Sequence, residues 1–391
     1  MMLKLTFKLT ILFILILHKN ATAGTLGEDT SNAIITRYQP TIDALTHHGW
    51  DHSNSVIMHG MEKIFHNTGN QTYFKYIQAY ADSYILADGS INGLLNTLDG
   101  IHPGIICLFL YRQTGQQKYL QAAKNMRDHL LSENSAFNKT PDGAYWHKNV
   151  DKYKNVASVD GLYMAYPFLI RYGLLAQDQI AINKSVEQIL LVSERSFNIK
   201  YKLPLHAWNY DKEKPWAHPI TGTATQFWGR ASAWYAMALV DILEVLPPSH
   251  SAYPKIKILF SELAEGIRAT QNPNTGFWHQ VLDKHTDPAN YPESSATGMI
   301  VYALQKGINL GLLDHAYTVT TLKGWQALKT AISTAEDGQI QINGFAPGMS
   351  PQNTYQDYLN KRPVSVPTIG DKQYAHGYMA VLMAASVMEK P

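Results

Sequence analysis

A single cysteine, Cys107, excludes any disulfide within this 391-residue chain, so a large hydrophobic core must supply stability. Its setting, GIICLFLY, reads as a small buried hydrophobe rather than a nucleophile or metal ligand. Charge is also scarce. Only 16% of residues are Asp, Glu, Lys or Arg, the net balance is +2, and without a basic run the chain lacks the electrostatic footprint of a nucleic-acid binder. No H-E-x-x-H, G-x-S-x-G, P-loop or G-x-G-x-x-G occurs in a fitting context. The chemistry is therefore expected to rest on carboxyl groups, with no cofactor and no metal. Long apolar runs are missing too: residues 9–17 fall short of the roughly 18 needed to span a bilayer. With Lys4 and Lys8 before this run and Ala21-Thr22-Ala23 after it, residues 1–23 read as a secretory signal peptide. Cleavage after Ala23 and export to a periplasm or the extracellular space are expected, with no membrane attachment afterwards.

Apolar and ring-bearing side chains are plentiful. Hydrophobic residues make up 45% of the chain, and 23 Tyr, 16 His and 8 Trp can stack on sugar rings as well as fill a core. An internal echo organises them. TGNQTYFKYIQAYAD, from Thr68, and TGQQKYLQAAKNMRD, from Thr114, match at Thr-Gly, at Gln71 and Gln117, at Tyr73 and Tyr119, and at Asp82 and Asp128. Each follows an apolar stretch, so the repeated unit is helix, Thr-Gly turn, helix. Helical segments then alternate between two kinds. Those near 52–66, 100–112, 161–173, 229–246, 294–309 and 373–388 are apolar nearly all round, as a helix buried on every side must be. Those near 31–46, 71–86, 117–132, 178–196, 252–271 and 315–333 are amphipathic; Tyr119, Ala122, Ala123, Met126 and Leu130 illustrate the spacing. Six of each predict an inner ring inside an outer ring: an all-α (α/α)6 barrel filling one domain, residues 24–391. Links from outer to inner helices are long and carry the strand-like pieces GAYWHKN, LPLHAWNYD, GFWHQVLD and GQIQING. Short β-hairpin loops on a single functional face follow from this.

Asp99, Asp160, His206, Arg230, Trp234 and Glu293 all belong to that face. Asp99 and Asp160 each precede an apolar helix within an Asp-Gly pair. Either Asp alone is readable as a helix cap; two at corresponding positions point to shared chemistry. Mutual repulsion and burial would raise a carboxyl pKa and a helix N-terminus would lower it, and that sum stays open here. Arg230 and Trp234 stand four residues apart on one helix face. They suit a substrate carboxylate and a sugar ring, or alternatively a structural cation–π pair. His206, among aromatics in PLHAWNYD, fits a ligand contact or a loop hydrogen bond equally.

These segments resemble the unsaturated glycuronyl hydrolases, glycoside hydrolase families 88 and 105, and most of all the unsaturated rhamnogalacturonyl hydrolases of family 105. The resemblance runs through LDGIHPG, VDGLYMAYPFLIRYG, LPLHAWNYDKEKPWAHPITG, FWGRASAWYAMALVDILEVLP, NYPESSATGMIVYALQKGI and YAHGYMAVLMAA. It implies an (α/α)6 barrel that removes a 4,5-unsaturated uronic acid, such as an unsaturated galacturonyl unit, from the non-reducing end of lyase-generated oligosaccharides derived from pectin or glycosaminoglycan. Asp160 then corresponds to the general acid and base and Asp99 to its assistant, while His206, Arg230 and Trp234 correspond to sugar-binding residues. One departure is Ser158, where the family often carries an aromatic residue two places before the catalytic Asp. Two rival readings stand beside this one: another (α/α)6 enzyme, either an inverting glycosidase or a sugar epimerase, and an exported carbohydrate-binding protein without catalysis. A monomer or dimer is expected.

Overall fold

The computed structural model describes residues 24–46, 49–367 and 375–389; the expected signal segment, residues 1–23, lies outside them. Among the described residues, twelve long helices follow one another. They are α1 (Leu26–Arg37), α2 (His52–Thr68), α3 (Gln71–Asp82), α4 (Gly104–Thr114), α5 (Gln117–Leu131) and α6 (Asp160–Ala176). The second half comprises α7 (Gln179–Ser196), α8 (Gly229–Leu243), α9 (Tyr253–Ala269), α10 (Ser294–Asn309), α11 (Thr318–Thr330) and α12 (His376–Met388). The even-numbered helices are the apolar ones. Every residue of α8 is buried, whereas α5 buries only Tyr119, Ala122, Ala123, Met126 and Leu130, the stripe its spacing predicts. Each even helix packs against the next, and α12 packs against α2. The ring closes, giving the (α/α)6 barrel.

The Thr-Gly turns do what the echo implies. Gly69 and Gly115 end α2 and α4 with φ of 69° and 68°, a left-handed conformation that costs glycine nothing. The first and last of the long helices are tied together: Glu389, just past α12, accepts hydrogen bonds from Leu26 N and Gly27 N. A carboxylate thereby satisfies free donors and complements the dipole at the start of α1. The predicted outer helix over 31–46 is corrected. It starts earlier and stops at Arg37, because Pro40 has no N–H to continue it, and a separate turn follows at Asp43–Thr46.

The long links hold short strands: β1 (Val156–Ser158), β2 (Phe197–Asn198), β3 (Leu203–Pro204), β4 (Ala207–Asn209), β5 (Ile332–Thr334), β6 (Ile340–Phe345) and β7 (Val364–Val366). β1 pairs with β4, β2 with β3, and β6 lies between β5 and β7, all antiparallel. GAYWHKN and GFWHQVLD contribute only isolated bridges. At the opposite end, the last turns of the inner helices carry an ion network that is buried at Asp241, Arg171 and Lys306 and opens to solvent at Glu244. Lys306 reaches Asp241 and Glu244 at 2.8 Å each, and Arg171 reaches Glu244 at 2.7 Å. No helix among the described residues is long and apolar enough to cross a membrane.

Candidate active site

Asp160 opens α6, yet it does not cap it: neither carboxylate oxygen accepts a backbone N–H of the helix. Its carboxylate is instead split between two environments. Oδ2 accepts a 2.6 Å hydrogen bond from Ser158 Oγ and lies 3.3 Å from His206 Nε2. Oδ1 is buried with no partner. Gly161 follows because a Cβ there would stand 2.7 Å from Leu98 Cδ1 and 3.0 Å from His147 Nδ1. Burial by itself would raise the Asp160 pKa; the His206 imidazole, His147 and the Ser158 hydroxyl overturn that and hold it below the usual carboxylate range. His206, fully buried, contacts Tyr358 Oη through Nδ1 at 2.8 Å. Tyr358 Oη already accepts from Gln352 N, so its proton is free for Nδ1. We assign the His206 proton to Nε2, facing Asp160.

Asp99 is placed differently from its sequence reading. It lies in a short turn, Leu98–Ile101, capped by Thr97, and α4 begins only at Gly104. The two aspartates are therefore not equivalent, and neither is a cap. Asp99 is neutralised by two cations, Lys148 with Nζ 2.6 Å from Oδ2 and His52 with Nδ1 3.8 Å from Oδ2, while His147, whose pKa burial lowers, brings Nε2 to 3.4 Å from Oδ1. The charge repulsion weighed for Asp99 and Asp160 is thus screened. Burial opposes ionisation of Asp99, but His52, His147 and Lys148 pull its pKa far down. His52 answers in kind. Burial would lower it, yet Asp99 and Asp51 hold it up at about 9. Asp51, His52 and Asp99 bring ligand-type atoms within 4.8 Å of one another; with Lys148 they form an ion-paired network whose charges are already matched.

The His52 shift has a consequence for stability. Its folded pKa is raised from 6.5 to about 9, so the contribution is complete below pH 6.5 and lost as pH rises through 9. The loss should amount to about 3 kcal/mol at most. In Asp99→Asn this decline should flatten, because His52 loses its principal charge partner. Unfolding midpoints between pH 6.5 and 9 would measure it, and an unchanged slope in the variant would refute the network.

Arg230 and Trp234 do share one face of α8, but each finds its partners elsewhere. Arg230 Nη1 donates to Ala346 O at 2.6 Å and Ser295 Oγ at 3.2 Å, and Nη2 donates to Pro347 O at 2.6 Å. Its guanidinium stands 4.5 Å from the Trp228 ring centre. The cation–π partner is thus Trp228, not Trp234, and the fork expected to grip a carboxylate is occupied, leaving a buried unpaired Nε. Trp234 stacks on Tyr163 at 5.0 Å and meets His376 edge-on at 6.0 Å. Glu293 is a true cap: it accepts from Ser295 N, Ala296 N and Ala346 N.

Asp99, Asp160, Arg230 and Trp234 line one cavity of about 130 Å³, with His206 behind Asp160. Sequence reasoning missed His52, His147, Lys148, Tyr153, Trp228 and Met349 on its wall. The available signal was GAYWHKN, whose His147 and Lys148 sit in a structured loop on the functional face. Size is not what marks this cavity. A depression of about 570 Å³ beside α1 and β6 holds one carboxylate and no aromatic ring.

The profile of Glycosyl Hydrolase Family 88 matches residues 28–390. A structure of a family 105 glycoside hydrolase from C. acetobutylicum ATCC 824 superposes with a TM-score of 0.84 and 27% identity, covering 94% of this chain and 100% of that one. The unsaturated rhamnogalacturonyl hydrolase YesR of Bacillus subtilis is 27% identical over 304 residues, 74% of this chain and 78% of its own length. An unsaturated 3S-rhamnoglycuronyl hydrolase of Alteromonas sp. is 26% identical over 289 residues, 72% of this chain and 64% of its own length. The chain is a glycosyl hydrolase and belongs to glycosyl hydrolase family 88.

Proposed function

We propose that the protein removes a 4,5-unsaturated uronic acid from the non-reducing end of lyase-generated oligosaccharides, with Asp160 as general acid and then general base. The observation that carries this reading is the divided carboxylate of Asp160, with Oδ2 anchored and Oδ1 buried and unpartnered beside the cavity. An unsaturated uronic acid is an enol ether whose C4 is nucleophilic. Asp160, protonated at Oδ1, gives its proton to C4, and positive charge develops at C5 and the ring oxygen. The resulting carboxylate takes a proton from water as the water oxygen bonds to C5. The hemiketal then opens to a C5 ketone, and C1 expels the aglycone as an alcohol. Before substrate arrives, His206, His147 and the Ser158 hydroxyl hold Asp160 ionised; a substrate carboxylate and the expulsion of water both raise its pKa toward the protonated form. On the cavity wall, Lys148 is about one-third exposed and offers a cation that the arriving carboxylate can meet.

Rhamnose fits as the aglycone, since the names of the two relatives described above carry it. The unsaturation erases the configuration at C4, so "galacturonyl" describes the polymer of origin, not a feature the site can read. Release of free sugar from an unsaturated rhamnogalacturonan disaccharide, with its saturated counterpart left intact, is the expected result; cleavage of both would favour an ordinary inverting glycosidase. Export from the cytoplasm is part of this reading, supported by the cationic start, apolar run and A-x-A pattern of residues 1–23. N-terminal sequencing of exported protein should begin at Gly24, and an intact Met1 would contradict it.

A further inference from the structure

Ser158 ends β1, opposite Ala207 of β4, and is only 4% exposed. Its hydroxyl has one proton and two acceptors within reach: Asp160 Oδ2 at 2.6 Å and the His206 carbonyl at 3.4 Å. The shorter, charged acceptor takes it. The hydroxyl is itself held in place. Val159, between Ser158 and Asp160, donates its N–H to the same His206 carbonyl at 3.3 Å, so strand, histidine loop and helix start form one rigid unit.

We propose that Ser158 is a positioning residue for proton transfer, locking Asp160 Oδ2 so that Oδ1 alone exchanges the proton with substrate and water. The proposal rests on the role assigned to Asp160 above. A carboxyl group fixed at one oxygen cannot swing about its last torsion, so the proton stays aimed into the cavity. The hydrogen bond also strengthens as Asp160 gives up its proton and negative charge gathers on the carboxylate, which lowers the barrier to that step. The charged and titratable groups facing Asp160 come from several elements: His206 from the β3–β4 link, His147 and Tyr153 from the α5–α6 link, Arg230 from α8, and Tyr358 from the segment after β6. Among the described residues none of them bonds Oδ1, and Ser158 supplies the shortest contact to Oδ2.

The test is Ser158→Ala beside Ser158→Thr, with kcat and KM on an unsaturated disaccharide measured across pH. Ser158→Ala should lower kcat about 10- to 100-fold, the scale of one hydrogen bond to a charged group, with KM nearly unchanged. The alkaline limb of the kcat profile should move to higher pH, because Asp160 without its donor holds the proton more tightly. Ser158→Thr, which keeps the hydroxyl, should restore both. If alanine costs the fold, Ser158→Cys, similar in size with a weaker donor, should give the same two changes at smaller amplitude. An unshifted limb with wild-type kcat overturns the proposal, as does a rise in KM alone, which would make Ser158 a binding contact. An active wild type with an inert Asp160→Asn confines such a failure to Ser158; an inert wild type removes both assignments together.

Discussion

Asp160→Asn should stop turnover while leaving the barrel intact. Groups that act as general acid or base contribute about 100- to 10,000-fold to rate, and one group serving both steps places the loss at the upper end. The fold should survive for a specific reason. Asp160 makes no capping bond to α6, and an amide oxygen still accepts from Ser158 Oγ. What disappears is the ability to carry a proton at the position of Oδ1. Circular dichroism and the melting midpoint should match wild type within experimental scatter, while an unsaturated disaccharide stays unchanged. Had Asp160 been a helix cap, Asn would have served equally well and the variant would be silent.

Arg230→Ala should combine a loss of stability with weakened substrate binding. The guanidinium satisfies the carbonyls of Ala346 and Pro347, the Ser295 hydroxyl and, at 4.0 Å, the Glu293 charge. It does so while 1% exposed. Removing it strands those acceptors and leaves Glu293 without its nearby cation, a defect of about 3–5 kcal/mol for a buried charge pair. The segment it anchors runs directly into Gly348 and Met349, which line the cavity. KM should therefore rise more than kcat falls. Arg230→Lys should recover part of the stability through its charge but not the paired contacts to two carbonyls. A variant with an unchanged melting midpoint and KM would show that these contacts are dispensable.

The barrel was legible because two hydrophobic periods repeat along the chain. α10 occupies Ser294–Asn309, the stretch the apolar pattern marks, and α5 buries the five residues its spacing selects. The site was legible only where helix starts carry it. Asp160, Arg230 and Trp234 could be named because inner helices begin at the functional face. Their partners could not be named, since no spacing links Arg230 to Trp228 on one side and Ala346 on the other, or His206 to Tyr358. Asp99 shows the same limit. Its Asp-Gly pair looks like that of Asp160, yet a proline at position 103 delays the helix and the carboxylate turns toward Lys148 and His52. Ionic pairing of that kind is decided by how loops fold over one another, which local sequence does not encode.

The central claim is hydration of a carbon–carbon double bond by Asp160, and it is tested most directly by following the ultraviolet absorbance of the conjugated uronic acid alongside sugar release. With wild-type protein and an unsaturated rhamnogalacturonan disaccharide, the band should vanish one-for-one with free aglycone, and Asp160→Asn should preserve it. Release of the aglycone with the band intact, or loss of the band at a normal rate in Asp160→Asn, would contradict the account.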